Sequence, residues 1–449
     1  MFRTQRALAH LFAPLLTALT ALTALMAAGC GADEPANAHP AATTTPAAVR
    51  AAAITWQPRA CPEGLACGSY EVATVEVPVS YDQPDGPATT LAIARRRAAD
   101  PATRIGTLVV SPDRPSQSAS ALVAAAPGRL PRELLDRFDL VAVDRRAGGG
   151  TRDAARDLDR IRELLGEERI SYLGYDDGTA LGQAYASFFP DHVRAMVLDG
   201  VVDVGQSGPD LLTAQAMAGE EALGRFVDDC VDGAACPLGG KTEDAMALVD
   251  ELVAEVEAAP VPARSTDRTL GPTELHDGLA HGLTDRARWP QLAVALIQAV
   301  NGDGSTLVAW ADAAAGVLCQ DYSWPAAGQA LADVAKDSPH FGPAARATAA
   351  GCAASPVPAQ PLGHLDVGFE GPILVVGSTH DARTPYGAAE DLAEALPDGR
   401  LVTYDGDAHI IYASASQPNA CVDDAVTRYL VDLQPPEDDV TCTPTTAGD

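Results

Sequence analysis

The chain has 449 residues, with 61 Asp and Glu against 31 Lys and Arg, and a formal net charge of −30. This acidic balance argues against nucleic acid or an anionic membrane as an electrostatic partner. The length allows one large core with an insertion, or two domains.

The N-terminus is typical of a bacterial export signal. Arg3 and Arg6 precede an apolar run over residues 11–28, and small residues lead into Cys30. The run is long enough for a short transmembrane anchor, but small residues before a cysteine favour a cleaved signal, residues 1–30. The segment resembles a lipobox, which predicts a lipid on Cys30 as the protein's contact with a membrane. Residues 31–55 are rich in Ala, Thr and Pro and are predicted to form a disordered tether.

Eight cysteines remain beyond Cys30, and an even number in an exported chain predicts four disulfides. Pairing neighbours along the chain is the simplest of the possible arrangements. It gives the pairs Cys61–Cys67, Cys230–Cys236, Cys319–Cys352 and Cys421–Cys442. The spacings do not fit a zinc site, and neither a metal nor another cofactor is predicted.

Strands and helices alternate through the first half of the predicted core, residues 56–207. Strands are predicted at 71–79, 90–96, 107–110, 140–143, 170–173 and 195–198, with helices at 151–165 and 179–189. This alternation indicates a mostly parallel sheet with crossover helices. Residues 208–358 read as an all-helical cap, the alternation returns over 359–434, and residues 435–449 form an acidic tail.

The segment from Gly174 to Gly178 has the pattern of a nucleophile elbow, G-x-S-x-G, between a strand and a helix. Its central residue is Asp176, where a serine hydrolase has its hydroxyl. A carboxylate cannot perform the serine reaction unchanged.

Two further residues follow later strands. Asp381 comes after the predicted strand 373–376, and His409 comes after the predicted strand 400–404. The order elbow, acid, histidine is that of α/β-hydrolases, in which the acid orients the imidazole that accepts the proton.

Taken together, these motifs resemble the exported tripeptidyl-aminopeptidase-like α/β-hydrolases, which are relatives of proline iminopeptidase. The resemblance covers roughly residues 56–442, and its most specific matches are the segments 151–158, 182–186, 193–202, 377–385 and 421–425. It implies an α/β-hydrolase fold with an inserted helical cap, and a reaction in which peptides or esters are hydrolysed. It also implies Asp176, Asp381 and His409 as the catalytic positions, and a small peptide or ester as the ligand under the cap.

The chain departs from this family in the segments that would surround the catalytic residues. The family's glycine-rich loop after the 107–110 strand is replaced by residues 111–118, which contain two prolines and no glycine. That loop supplies an oxyanion N–H in the family, so Ser111 and Asp177 are degraded oxyanion candidates. A family segment before Thr151 is missing, and Ala408 stands where glycine usually precedes the histidine.

Three interpretations therefore remain open. The chain is a pseudoenzyme that binds or scaffolds without turnover; or Asp176 is a carboxylate nucleophile, as in haloalkane dehalogenases and epoxide hydrolases; or some family activity survives with another nucleophile. Against the second, Asp177 adds a like charge beside Asp176.

Overall fold

The computed structural model of the protein describes residues 54–61, 69–112, 117–146, 148–233, 235–311, 319–325, 331, 333–414 and 416–444. The predicted export signal with Cys30, the predicted tether as far as residue 53, and residues 113–116 of the substituted loop lie outside these ranges.

A ten-stranded sheet forms the centre of the fold. Its strands lie in the order β1-β2-β3-β5-β4-β6-β7-β10-β11-β12. The pairs among β1, β2, β3 and β5 are antiparallel, and every pair from β5 through β4 to β12 is parallel. These strands are β1 (Gln57–Arg59), β2 (Tyr70–Pro78), β3 (Ala88–Arg96), β4 (Gly106–Ser111), β5 (Phe138–Val143), β6 (Ile170–Tyr175), β7 (Val193–Asp199), β10 (Ile373–Ser378), β11 (Gly399–Tyr404) and β12 (Val440–Cys442).

The central strands are buried on both faces, as their continuous apolar sequences predict. All six residues of β4 and all six of β10 are buried. Successive residues point to opposite faces of the sheet: Leu108 and Val110 belong to one apolar cluster, and Val109 belongs to another.

Helices cover both faces of the sheet. One face carries α1 (Ala119–Ala125), α2 (Arg132–Arg137) and α13 (Ala420–Asp432). The other carries α3 (Thr151–Leu165), α4 (Asp177–Phe188) and α12 (Gly387–Ala395). The α/β-hydrolase fold expected from the sequence is therefore present. Helices α1 and α2 have only seven and six residues and were not predicted from the sequence.

Helices also dominate residues 208–358, where they share an apolar cluster of their own. They are α5 (Gly208–Asp232), α6 (Thr242–Ala258), α7 (Pro272–Leu283), α8 (Trp289–Val300), α9 (Ser305–Trp310), α10 (Val334–Asp337) and α11 (Gly342–Ala353).

Two details of this cap differ from expectation. It is not all-helical, because β8 (Val261–Pro262) and β9 (Thr269–Leu270) pair as a short antiparallel hairpin. The sequence also predicts a helix at 325–335; residues 326–330 and 332 lie outside the described residues, and α10 covers the last two positions of that helix. Helix α11 was not predicted, because its Ala-rich sequence has no clear apolar stripe.

Three of the four predicted disulfides are present: Cys230–Cys236, Cys319–Cys352 and Cys421–Cys442. The last of these attaches β12 to the first turn of α13. Cys67 lies outside the described residues, so the pair Cys61–Cys67 stays a prediction. Within the described ranges, no helix is both long and apolar enough to cross a membrane.

Candidate functional site

Asp176 occupies a strained backbone position between β6 and α4. Its φ is 45° and its ψ is −115°, a region that residues with a side chain rarely adopt. Three hydrogen bonds hold this conformation. The Asp176 carbonyl accepts from the amide (2.7 Å) and the hydroxyl (2.6 Å) of Thr179, and its amide donates to the Asp199 carbonyl at 3.0 Å. The elbow geometry therefore persists although its central residue is an aspartate.

Two glycines make the elbow possible. A Cβ atom on Gly174 would lie 2.6 Å from the Gly178 carbonyl oxygen, and one on Gly178 would lie 2.9 Å from the Ser111 side chain. Such distances are too short for real carbon contacts, so the tight turn needs glycine at both places. The structure also begins α4 at Asp177 and extends β6 to Tyr175, which makes the turn tighter than the sequence predicted.

The loops after β10 and β11 bring Asp381 and His409 together. Nδ1 of His409 lies 2.9 Å from Oδ2 and 3.2 Å from Oδ1 of Asp381. Asp381 is fixed in turn by the amide of Arg383 (2.8 Å) and by the amide and hydroxyl of Thr384 (3.0 and 2.7 Å). This is the arrangement in which a carboxylate orients an imidazole.

The far side of the imidazole faces the elbow. Nε2 of His409 lies 3.3 Å from Oδ2 of Asp176, a charge contact that lacks hydrogen-bond alignment. The three predicted site residues are thus assembled in one place, and each side chain is at least nine-tenths buried.

Arg383 completes this group and was not identified from the sequence. Its Nε lies 2.5 Å from the same Oδ2 of Asp176. Asp176 is therefore a carboxylate between two cationic groups, and Asp381 balances the charge on the other side of His409. We call Asp176, Arg383, His409 and Asp381 the elbow network.

The elbow network shifts the pKa values of its members. Burial opposes the charge on Asp176, but Arg383 and His409 outweigh it and hold the pKa of its carboxyl below the ordinary value. Burial also opposes the charge on His409, but Asp381 and Asp176 raise the pKa of its imidazole to about 10. At neutral pH, His409 is consequently an imidazolium and not a free base.

Asp177 and Ser111, the oxyanion candidates, both lie beside the elbow. Ser111 ends β4 and is buried against Gly178, while Asp177 begins α4. The Asp177 carbonyl accepts from Nη2 of Arg145 at 3.1 Å. Burial and the charge of Asp176 raise the pKa of the Asp177 carboxyl to about 7. Residues 113–116 lie outside the described residues, so the oxyanion role of this region stays a prediction.

The cap contacts the core directly around this site. Arg225 of α5 donates from Nε to Asp407 (2.7 Å) and from Nη2 to the His380 carbonyl (3.2 Å), which reaches the loops of both His409 and Asp381. Asp285 of the cap forms an antiparallel bridge with Ala408. A third contact joins the cap to the start of α3, where the cap residue Asp321 accepts hydrogen bonds from the amide (2.8 Å) and the hydroxyl (2.6 Å) of Thr151.

Sequence reasoning missed Arg383 and these cap contacts for different reasons. A buried carboxylate needs a cation, and Arg383 stands two residues after Asp381, so charge balance offered a signal for it. Arg225 and Asp321 lie far along the chain from their partners, and no sequence pattern links them. Among the described residues, no group of His, Cys, Asp and Glu is arranged to hold a metal ion.

The Asp176–Arg383 pair generates a prediction about stability. Arg383→Gln should destabilise the fold by about 3 kcal/mol, because it leaves a buried carboxylate without its guanidinium. Asp176→Asn with Arg383→Gln should cost less than the sum of the two single changes, with a coupling of about 1–3 kcal/mol. Urea unfolding with the disulfides intact measures all four proteins. The exposed pair Lys336–Asp333 is the control, and Lys336→Gln should leave the unfolding free energy unchanged. Additive costs at Asp176 and Arg383 would contradict the pairing.

The raised pKa of His409 predicts how stability depends on pH. Its folded pKa of about 10 lies above the ordinary 6.5, so its contribution is complete below pH 6.5 and is lost as the pH rises toward 10. The unfolding free energy should therefore fall over this window, by at most about 1.4 kcal/mol per pH unit. His409→Gln should flatten that slope, whereas the same change at the exposed His364 should not. An equal slope in the His409 variant and the wild type would be inconsistent with an imidazolium at this position.

Comparisons with known proteins identify the family of the chain. A family model described as TAP-like protein matches residues 338–442. Serine protease Hip1 of Mycobacterium tuberculosis is 30% identical, over 85% of this chain and 88% of its own length. Carboxylesterase B of the same species is 32% identical, over 91% and 94%. Tripeptidyl aminopeptidase of Streptomyces lividans is 32% identical, over 66% of this chain and 58% of its own length. The chain belongs to the TAP-like family of α/β-hydrolases.

Proposed function

We propose that this chain is an exported TAP-like protein that has lost the serine-hydrolase reaction and acts by binding, without turnover. One observation carries the proposal: the residue at the nucleophile position is a carboxylate held 2.5 Å from the guanidinium of Arg383. A serine nucleophile works because a neutral hydroxyl can be deprotonated by an adjacent base. Asp176 has no proton to give at neutral pH, since its pKa is lowered.

The histidine supports the same proposal. A general base must be unprotonated at the working pH. His409 lies between the carboxylates of Asp176 and Asp381, which raise its pKa to about 10. The acid and the histidine thus keep the positions of a catalytic pair, while the added carboxylate removes the basicity of that pair at neutral pH.

A carboxylate nucleophile is the second candidate. The strained elbow and the 3.3 Å separation from Nε2 of His409 favour it, because such an enzyme needs a histidine beside the nucleophile to activate water. Two features weigh against it. Arg383 already neutralises the Asp176 carboxylate, and an imidazolium cannot take a proton from water.

For the binding function, we propose a small peptide or ester ligand at the junction of cap and core. Its neighbours would be the elbow network and the residues through which the cap contacts it, Arg225, Asp285 and Asp321. Export is proposed from the N-terminal sequence, with a lipid on Cys30 as the membrane anchor.

The proposed loss of catalysis predicts that Asp176→Ser alone restores no measurable hydrolysis. Losing the serine costs on the order of 10⁶ in turnover, and losing one oxyanion donor costs about 10²–10³. Asp176→Ser repairs only the first defect, because the proline-containing loop remains and the absence of the family segment before Thr151 leaves the site reshaped. It also removes the carboxylate that balances Arg383. Recovery should require Asp176→Ser together with a glycine-rich loop in place of residues 111–118.

Hydrolysis of short peptide amides and acyl esters, and labelling by a fluorophosphonate probe, measure this outcome. The control for any recovered activity is His409→Ala in the same background, which should abolish it. Robust peptidase activity of the Asp176→Ser protein would contradict the proposed loss of the oxyanion site. Wild-type hydrolysis of an ester, epoxide or alkyl halide that is abolished by Asp176→Asn and by His409→Ala would establish the second candidate instead.

The proposed lipid anchor predicts a change of location. Cys30→Ala should release the protein from the membrane fraction or block its processing, because the thiol that carries the lipid is gone. Fractionation and the intact mass of the mature protein measure this. An unchanged mass and an unchanged location would rule out the lipid, without affecting the conclusions about the elbow network.

A further inference from the structure

Asp199 lies at the point where the three parts of the site meet. It is the last residue of β7, which pairs with the elbow strand β6 on one side and with β10, the strand before Asp381, on the other. Its carbonyl accepts the amide of Asp176 at 3.0 Å, and the next amide, that of Gly200, donates to the Val376 carbonyl of β10 at 3.1 Å. The backbone at 199–200 thus joins the elbow to the strand that carries the acid.

The side chain of Asp199 reaches the third part, the loop of His409. Its Oδ2 accepts the amides of Tyr412 at 2.8 Å and Ile411 at 3.1 Å, and Asp199 is completely buried. A charged acceptor of two amides makes hydrogen bonds stronger than neutral ones. The loop it binds is strained, because Ala413 has a φ of 56°.

Gly200 fits closely against the same histidine. Its φ is +70°, and a Cβ atom there would lie 3.1 Å from Cε1 of His409. The His409 ring therefore packs against the backbone that Asp199 anchors. A shift of either element would move the imidazole relative to Asp176 and Asp381.

We propose that Asp199 is a positioning residue, whose buried carboxylate holds the His409 loop against the ends of the strands that carry Asp176 and Asp381. This inference goes beyond the proposed function, since it concerns the geometry of the site and applies whether or not the site turns over.

The environment of Asp199 makes its hydrogen bonds to the His409 loop dependent on pH. Burial is the main effect that raises the pKa of its carboxyl to about 7, and the charge of Asp381 acts in the same direction. The amides of Tyr412 and Ile411 and the charge of His409 lower the pKa in part. The phenol of Tyr175, whose own pKa is raised by burial, faces it from β6. Below pH 7 the carboxylate becomes a neutral carboxyl, which is a weaker acceptor for the two amides.

Amide hydrogen exchange of the oxidised mature chain tests the proposal. In the wild type, protection of the Ile411 and Tyr412 amides, corrected for intrinsic exchange, should fall roughly tenfold from pH 8 to pH 5.5. Asp199→Asn should give the low protection at both pH values. It should also shift the NMR signal of the His409 Nδ1 proton, because the ring moves relative to Asp381.

The chain provides a matched control. Asp423 of α13 also accepts an amide from this loop, that of Ala413 at 2.9 Å. Asp423→Asn should reduce protection at Ala413 but leave the His409 signal unchanged. If Asp199→Asn does not fold, Asp199→Glu replaces it, because the longer side chain keeps the charge but displaces the carboxylate from the two amides; it should lower their protection and shift the His409 signal.

Two results would overturn the proposal. One is an Asp199→Asn protein in which the Ile411 and Tyr412 amides keep the wild-type protection at pH 8 and the His409 signal does not move. The other is an Asp199→Asn protein in which the pKa of His409 falls but the loop stays protected, since Asp199 would then act on the ring only through its charge. None of these measurements needs turnover. A hydrolytically active wild type would contradict the proposed function and leave this inference standing.

Discussion

The ion pair between Asp176 and Arg383 is the interaction on which the rest of the site depends. A carboxylate buried at a strained elbow is expensive unless a cation lies beside it. Arg383 supplies that cation from the turn that also holds Asp381, so one short segment fixes both carboxylates. His409 lies between them, and its charge state follows from theirs. A substitution at any one of these residues therefore alters the charge balance of the site, the position of its loops and the chemistry it can perform.

The fold does not depend on the chemistry of the elbow, because it is held by other forces. The central strands are buried on both faces, and apolar clusters on the two sides of the sheet fix the ends of β6, β7, β10 and β11. The carboxyl ends of parallel strands meet at one edge, which brings residues from distant parts of the chain together. A substitution at the elbow alters what that edge can do, while the sheet beneath it is unaffected.

The sequence predicted those features that follow from local patterns. Apolar runs located the central strands, and the order of Asp176, Asp381 and His409 along the chain predicted their meeting. Short elements without a strong period, such as α1, α2 and the β8–β9 hairpin, were missed. Side-chain partnerships were missed too, because the turn that places Arg383 over Asp176 has no periodicity that reveals where its side chains point. Asp199 gave a weak signal, as a charged residue ending an apolar strand, but its partners at 411 and 412 are more than 200 residues away.

Stability and catalysis make opposite demands on His409. As a base it would have to be neutral near pH 7, yet each carboxylate beside it favours the imidazolium. If Asp381 were the only carboxylate beside it, the imidazole would have one negative charge next to its Nδ1 atom, as in a serine triad. Asp176 adds a second negative charge on the Nε2 side, and Nε2 is the atom that would accept the proton of a serine. A carboxylate at position 176 therefore offers no nucleophilic hydroxyl, and it lies beside the nitrogen through which the histidine would act as a base. For this reason the acid and the histidine can hold a triad-like geometry in a site whose elbow carries no serine.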